Sequence, residues 1–346
     1  MKKTSTIHSY FFILIFSITS FTSGLQADHN TSIDIAYNSI SKKVLHWSEY
    51  LDIRISSWLD DNVSYEECQA QEINHIKNEN TQKKYDINYF FQNNKYLNET
   101  KDIYVRLRLN NYLYSREKNR MNVRLNAQLP FDRCKAQWKF FLQDSTNSLS
   151  EVKSTDTSNG GVGIRYYQEA LYGVSASYSL GLSGGSPYLR GRYKFPIKYH
   201  DWKIEPVQIF KYSTKYYFEE ETNIYFDKYL NENDLFRIQL HRKSGSTLEG
   251  TDYGIIFRYY LNLGKDSGLE LSQSFFGNTH YSHYYALDES YNNINNYVTS
   301  ISWRENLWRK WFYYEIRPTV NFHKDYNYKP SYSLRFLFDI YFGEYN

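Results

Sequence analysis

The chain has 346 residues, a formal net charge of +3 and a mean hydropathy of −0.69. No apolar run of about 18 residues follows the N-terminal segment, which excludes a helical membrane protein, and the small net charge argues against a partner bound through phosphate neutralisation, so no nucleic acid is expected. Yet aromatic residues make up 19% of the chain, which is typical of a membrane β-barrel with aromatic girdles and strands that face lipid on one side only.

The N-terminal residues 1–27 are predicted to be a secretory signal peptide. Lys2 and Lys3 form its basic region, residues 10–18 its apolar region, and residues 25–27 resemble a cleavage site. The chain is therefore expected to be exported, with residues 28–99 as a periplasmic segment and residues 100–346 as a barrel.

Helical periodicity follows from Ser32 to about Asp61. Apolar residues spaced by four, three, four, four and three positions form one stripe: Ile40, Val44, Trp47, Leu51, Ile55 and Trp58. This pattern predicts an amphipathic helix. The stripe suits packing at the periplasmic mouth of the barrel, plugging of its lumen, or a short coiled coil, and its length favours the first two.

A polar connector, residues 62–99, comes next. It has almost no apolar content from 78 to 84, and the run from 85 to 91 fits a short strand but is left unassigned. Cys68 lies in this connector and Cys134 lies after the second predicted strand. Both are expected on the same side of the membrane in an oxidising compartment, where a disulfide between them is possible but not fixed by the sequence.

From residue 101 onwards the period becomes two, which predicts strands. About 14 candidates, with a range of 12–16, start near residue 103 and end at the run 331–342. The fold class is therefore all-β: a transmembrane antiparallel β-barrel preceded by an amphipathic helix. On the last strand, one apolar face is the candidate barrel-assembly signal: Tyr332, Leu334, Phe336, Phe338, Ile340 and Phe342.

Connection lengths predict which end of the barrel faces outwards. The longest connections, 144–159 and 277–295, fall on one side of the alternating topology, and short turns such as 130–133 fall on the other. Long loops outside and short turns inside are the rule for such barrels. The N-terminal segment and the C-terminus are therefore expected in the periplasm of a Gram-negative cell, with the barrel in the outer membrane.

The alternation also predicts the inward face, which is rich in arginine. The lumen-facing candidates are Arg106, Arg108, Arg124, Arg165, Arg190, Arg192, Arg237, Arg258, Arg304, Arg317 and Arg335, with the acids Glu221, Asp227, Glu315 and Asp339. A water-filled lumen with this bias would favour anions. The same arginines could instead form ion pairs that brace a narrow, closed interior, and the sequence does not decide between the two.

Candidate chemistry is sparse. His280, Ser282, His283 and Asp288 lie in one predicted outer loop, where a polar surface loop is a better explanation than a metal or hydrolytic site. No paired carboxylates, phosphate-binding glycine loop or nucleophile elbow stands in the right context. The sequence therefore predicts no enzyme, no catalytic residue, no metal and no cofactor.

Several segments resemble a family of uncharacterised bacterial outer-membrane proteins with a signal peptide, an amphipathic helix and a barrel. They are Ser57-Trp58-Leu59-Asp60 and the runs 104–109, 123–130, 311–318 and 334–343. The resemblance implies the fold and the location and transfers no catalytic residue.

Two functions remain open at this stage. The first is a porin-like channel for small solutes, with anions as one candidate class, gated or braced by the helix. The second is a structural or interaction barrel with a closed lumen, whose outer loops or periplasmic helix bind a partner. Outer-membrane lipid and the barrel-assembly machinery are the expected partners, and the oligomeric state is unknown.

Overall fold

The computed structural model describes residues 32–59, 87–91, 104–131, 138–142, 161–264, 266–282, 290–307 and 309–343. The predicted signal peptide, most of the connector, Cys68, Cys134 and the loop 144–159 lie outside these ranges. The predicted disulfide therefore stays a prediction.

Fifteen antiparallel strands are present in the described part of the chain. They are β1 (Tyr104–Tyr114), β2 (Arg120–Phe131), β3 (Trp138–Leu142), β4 (Gly161–Leu171), β5 (Val174–Ser183), β6 (Ser186–Lys194), β7 (Ile197–Tyr199), β8 (Trp202–Ser213), β9 (Tyr217–Tyr229), β10 (Asp234–Gly245), β11 (Asp252–Asn262), β12 (Ser267–Ser282), β13 (Ser290–Asn306), β14 (Phe312–His323) and β15 (Pro330–Gly343). Consecutive strands pair with each other except β6 and β7, which both pair with β8, and β1 also pairs with β15.

The sheet closes on itself through β6 and β8, which pair from Tyr188↔Ser213 to Lys194↔Val207. The short β7 continues β6 along the same neighbour, with Ile197 opposite Ile204. Pro196 separates the two pieces because proline has no backbone N–H to donate to the ladder. The ring therefore has 14 strand positions, and the predicted closed antiparallel barrel is confirmed.

The two ends of the barrel differ. The first strand begins and the last strand ends at what we call the terminal rim, where Tyr104 lies opposite Gly343. At the opposite rim, the predicted loop 277–295 is wrong, because β12 and β13 extend their hairpin to Ser282 and Ser290. Register shifts beside Gly277 and Asn278 explain the difference, since bulges interrupt the period of two that identifies a strand.

The outer face of the barrel is apolar and exposed. Val123 is 59% exposed and Leu180 is 56% exposed, and similar side chains occur around the ring: Leu125, Ile164, Leu182, Leu189, Phe210, Ile255, Phe257, Leu271, Ile301 and Phe338. An apolar belt of this extent does not suit contact with water and is the face that a membrane-spanning barrel presents to lipid.

Two helices precede the barrel strands in the described residues: α1 (Ser32–Leu59) and α2 (Ile87–Phe91). Neither has the length and apolar character that a membrane crossing needs. The helix predicted from Ser32 to about Asp61 is thus present with nearly the same limits. The run left unassigned at 85–91 contains one short helix rather than a strand.

Helix α1 lies against the terminal rim. Its Tyr37 ring stacks on Trp311 at 4.2 Å between centroids and on Phe342 at 5.7 Å, and burial raises the pKa of the Tyr37 phenol. Arg309, in the turn before β14, donates two hydrogen bonds of 2.6 and 2.7 Å to the Asp34 carboxylate. The helix therefore packs on the rim from its first turns onwards.

In the described part of α1, the face that packs is only partly the predicted stripe, because Val44 is half-buried but Ile40 and Trp47 are not. Tyr37, Ser41 and Ser48 are buried, whereas Ile40 is 44% and Trp47 is 66% exposed. Small serine side chains let the helix approach the rim closely, and the Ser41 hydroxyl lies 3.5 Å from the Gly343 amide nitrogen. The remaining stripe side chains, Leu51, Ile55 and Trp58, lie outside the described side chains.

Candidate functional site

The interior of the barrel holds a cluster of ion pairs centred on Asp339, near the end of β15. Its carboxylate is fully buried and accepts hydrogen bonds from Arg106 at 2.8 and 3.0 Å and from Arg108 at 2.9 and 3.3 Å. Arg304 donates a further bond of 3.0 Å from β13. Three guanidiniums from two strands, β1 and β13, therefore share one carboxylate, and the bonds from Arg106 and Arg108 cross the β1–β15 pairing.

A second cluster surrounds Glu315 on β14. Arg335 donates a hydrogen bond to its carboxylate, and Arg317 lies 3.1 Å from the same carboxylate oxygen. Arg304 reaches the other oxygen at 3.5 Å and so joins this cluster to that of Asp339. Glu270 extends the chain of charges to Arg258 at 3.7 Å and to Arg317 at 3.6 Å. Such pairs offset the cost of placing charges in a poorly hydrated interior.

Helix α2 sits inside the terminal rim, against strands β10–β14. Ile87 is fully buried and Phe91 is 7% exposed, and both pack against Leu235 and Tyr260. The Phe90 ring lies edge-on to Tyr313 with 6.0 Å between centroids. Because Leu235, Tyr260 and Tyr313 all belong to the interior face near this rim, α2 partly obstructs the lumen there.

Two arginines of the wall fix the position of α2. Arg237 is held by Asp227 at 2.6 and 2.8 Å, and its Nη2 also donates a 2.7 Å bond to the Asn88 side chain. Arg304 donates a 3.0 Å bond to the backbone carbonyl of Phe90. Arg304 thus joins the helix to the Asp339 and Glu315 clusters, and the obstruction is part of the ion-pair network.

A glycine makes room for this helix. A Cβ atom on Gly268, at the start of β12, would lie 2.7 Å from Phe90 and 2.8 Å from Phe91. Distances this short do not occur for real Cβ atoms, so any larger residue at 268 would displace the two rings. The absence of a side chain at Gly268 therefore gives α2 the space in which it packs against the wall.

The remaining wall, β2–β6, has a different electrostatic character. Among the side chains that the structure describes on these strands none is a carboxylate, and the inward cations include Arg124, Lys139, Arg165, Arg190 and Arg192. Lys139 lies 4.6 Å from the centroid of the Tyr167 ring, and Arg165 lies 5.0 Å from that of Phe141. We call these five residues the cation wall.

The predicted inward residues thus separate into two groups. Arg106, Arg108, Arg304 and Asp339 form one cluster, and Glu315, Arg317 and Arg335 form another, with Arg258 beside it and Arg237 paired with Asp227. Arg124, Arg165, Arg190 and Arg192 belong to the cation wall. Glu221 accepts a hydrogen bond of 2.7 Å from Asn223 on the same strand.

Sequence reasoning missed Lys139, Glu270 and the whole of α2. Lys139 and Glu270 lie on the same alternating face as their predicted neighbours and could have been found by extending that alternation. Helix α2 gave no signal, because five residues are too few for a helical period and its apolar side chains resemble those of a strand.

No group of three metal-ligating side chains occurs among the described residues. The backbone of His280 lies near the end of β12, where its amide donates to Asn278. The side chain of Ser282, and His283 and Asp288 altogether, lie outside the described part.

Comparisons with known proteins add little. No protein-family model and no curated protein matches the chain. Among solved structures it is similar to an anion-selective porin from Comamonas acidovorans, with 8% identity, 70% of this chain and 99% of that chain covered, and a TM-score of 0.44. It is also similar to the outer membrane channel DcaP of Acinetobacter baumannii, with 8% identity, 70% and 96% coverage, and a TM-score of 0.43. With TM-scores this low, the matches assign no solute or activity.

Proposed function

We propose that the protein is an outer-membrane channel that prefers anions and is closed at its terminal rim by α2. The observation that carries the proposal is the arginine-rich interior of a 14-strand ring with an apolar outer belt. Eight strands already enclose a space that side chains just fill, so 14 enclose more than the wall residues occupy. The extra width leaves room for an ion-conducting path and for α2, which we propose closes it.

The terminal rim is proposed to face the periplasm. It carries short connections, such as the turns at 172–173 and 200–201, which are typical of that side. In this orientation α1, α2 and the end of β15 all lie on the periplasmic side. The outward apolar face of β15, with Leu334, Phe336 and Ile340, would then be accessible to the assembly machinery.

The preference for anions follows from the uneven distribution of charge. Carboxylates and guanidiniums are interleaved on the β9–β15 side, so their fields largely cancel at a distance. The inward cations named above outnumber the inward carboxylates named with them, so the interior has an excess of positive charge that lowers the entry barrier for anions.

Neutralising one residue of the cation wall should weaken the anion preference. Arg124 is suited to the test because its Nε is buried and has no hydrogen-bond partner in the described structure. A unit charge about 8 Å from a passing ion in water contributes about 0.5 kcal/mol, attractive for chloride and repulsive for potassium, so Arg124→Gln should lower the chloride-to-potassium permeability ratio about fivefold at low salt. The measurement is the reversal potential of single channels in a KCl gradient, recorded on a chain whose residues 87–91 are replaced by glycine and serine.

Lys118→Gln is the matched control, since it removes one positive charge from the exposed turn between β1 and β2. Its effect should be small and should vanish as salt rises, because the charge is outside the lumen and screened. Equal reversal potentials for Arg124→Gln and the unmodified lumen would contradict the proposed selectivity. Cation preference in all variants would contradict it as well.

A further inference from the structure

An apolar strip on α1 is left uncovered beside the face that packs on the rim. Ile33, Ile40 and Trp47 are spaced by seven residues, so they form one line along the helix, and all three are largely exposed. These are among the most exposed apolar side chains outside the barrel belt. A helix in water would not gain from presenting them.

The contacts of α1 show which way the strip points. Phe342 belongs to the outer face of β15, because it alternates with Tyr341, which is buried inside. Tyr37 stacks on Phe342 and therefore lies on the lipid side of the rim. Because each residue advances by about 100° around a helix, Ile33 and Ile40 lie about 40–60° from Tyr37, on the side away from Ser41.

The strip therefore lies on the side of α1 that faces away from the rim and towards the outside of the barrel. Ser41 approaches the backbone of Gly343 at the rim itself, Tyr37 covers the outer aromatic Phe342, and Ile33 and Ile40 follow beyond it. The apolar belt of the barrel and the strip of α1 are thus parts of one continuous surface.

Basic side chains border the strip on its far side. Lys43 and Arg54 are exposed and lie within about 60° of the line of Ile40 and Trp47 on the helical wheel. Arg54 is held beside Tyr50, with its Nε 3.2 Å from the phenol oxygen. Apolar residues bordered by lysine and arginine are the composition of helices that lie in the lipid–water interface, where the cations reach the phosphates.

We propose that α1 is an interfacial membrane helix, lying along the terminal rim with Ile33, Ile40 and Trp47 inserted between phospholipid headgroups. The inference rests on the proposed membrane location of the barrel and extends it to a segment outside the strands. The lipid contact and the Asp34–Arg309 pair would together hold the N-terminal segment at the rim.

The test measures the surroundings of Trp47 in the full chain reconstituted into phospholipid vesicles. Subtracting the fluorescence of Trp47→Phe from that of the unmodified protein isolates the signal of Trp47. Lipids brominated near the headgroup should quench this signal, and aqueous iodide should not. Moving the reporter by one position, in His46→Trp/Trp47→Phe, places it about 100° further around the helix, on the side opposite Tyr37, where quenching by lipid should be lost and quenching by iodide gained.

A tryptophan reporter on the apolar belt of the barrel tests the membrane location of the barrel separately from the lipid contact of α1. Leu180→Trp in the Trp47→Phe background should be quenched by lipids brominated deep in the acyl chains, provided that the barrel spans the bilayer. If the reporter at 180 is quenched by lipid and Trp47 is quenched by iodide, α1 is in water and the inference is wrong. Protection of Trp47 from both quenchers would mean that protein, such as a second copy, covers the strip. A reporter at 180 that lipid fails to quench would overturn the membrane location itself.

Discussion

Channels in which α2 has lost its buried side chains should open far more often than the unmodified protein. In Ile87→Ala/Phe91→Ala, the helix no longer fills the space beside Leu235 and Tyr260. Truncations of this kind each cost about 2–5 kcal/mol of packing free energy. Since about 1.4 kcal/mol corresponds to a factor of ten, the ratio of open to closed lumens should rise at least about 100-fold. Planar-bilayer recording of the refolded protein measures the open probability directly.

A second variant should also open the lumen, by changing a residue of the barrel wall instead of α2. Gly268→Leu leaves the sequence of α2 intact and places a side chain where Phe90 and Phe91 now sit. It should also raise the open probability, which separates loss of the plug from any other effect of shortening two side chains. Phe322→Ala, a truncation on the outer face at the opposite rim, is the matched control and should leave the recordings unchanged.

Silence from both opened variants would contradict the channel, provided that heat-modifiable gel mobility shows a folded barrel. That outcome would favour the alternative of a closed structural barrel, for which the dense ion-pair network is already sufficient. Frequent opening of the unmodified protein, with no change in either variant, would instead show that α2 does not obstruct the path.

Replacing the carboxylate at the centre of the network should strongly destabilise the barrel. Asp339→Asn keeps the shape of the side chain but leaves Arg106, Arg108 and Arg304 without the charge they share. Removing one partner of a buried ion pair costs about 3–5 kcal/mol, because the remaining charge stays desolvated. Urea unfolding in lipid vesicles, extrapolated to water, measures the change in the free energy of unfolding.

Asp201→Asn is the matched control for this change. Asp201 is 77% exposed and lies 3.6 Å from Lys228 at the terminal rim, so its loss should alter the free energy of unfolding by less than about 0.5 kcal/mol. Adding Arg106→Gln to Asp339→Asn should recover part of the loss, since one unmatched cation is then removed. A loss below about 1 kcal/mol for Asp339→Asn alone would show that the cluster is hydrated or re-pairs elsewhere.

The barrel could be predicted from the sequence because strand alternation is a local property that each segment carries by itself. Arg106 and Arg108 on β1, or Phe336 and Phe338 on β15, reveal their faces without knowledge of their neighbours. The hairpin of β12 and β13 escaped prediction because bulges beside Gly277 break the period on which the inference depends.

The site was harder to predict because its parts are joined only in three dimensions. Nothing in the residues around Asn88 indicates that Arg237 will hold them, since the two lie 149 residues apart. Helix α1 was predicted correctly, but two of the stripe residues assigned to packing, Ile40 and Trp47, are exposed. Hydrophobicity alone does not distinguish contact with protein from contact with lipid. Tyr37, Ser41 and Ser48 pack on the rim, whereas Ile40 and Trp47 do not.

The pairing of β1 with β15 joins the first and last strands of the barrel. The barrel can therefore close only after the last strand has been made. Most neighbours in the ring are hairpins that a growing chain can form as soon as both strands exist. The seam between Tyr104 and Gly343 needs the last strand, and the contact between Arg106 and Asp339 spans 233 positions. Until then, the two seam edges lie open to strands of another copy. The buried charges on both sides of the seam favour pairing of β1 with β15 over pairing with any other strand, because only β15 carries Asp339 to the two arginines of β1.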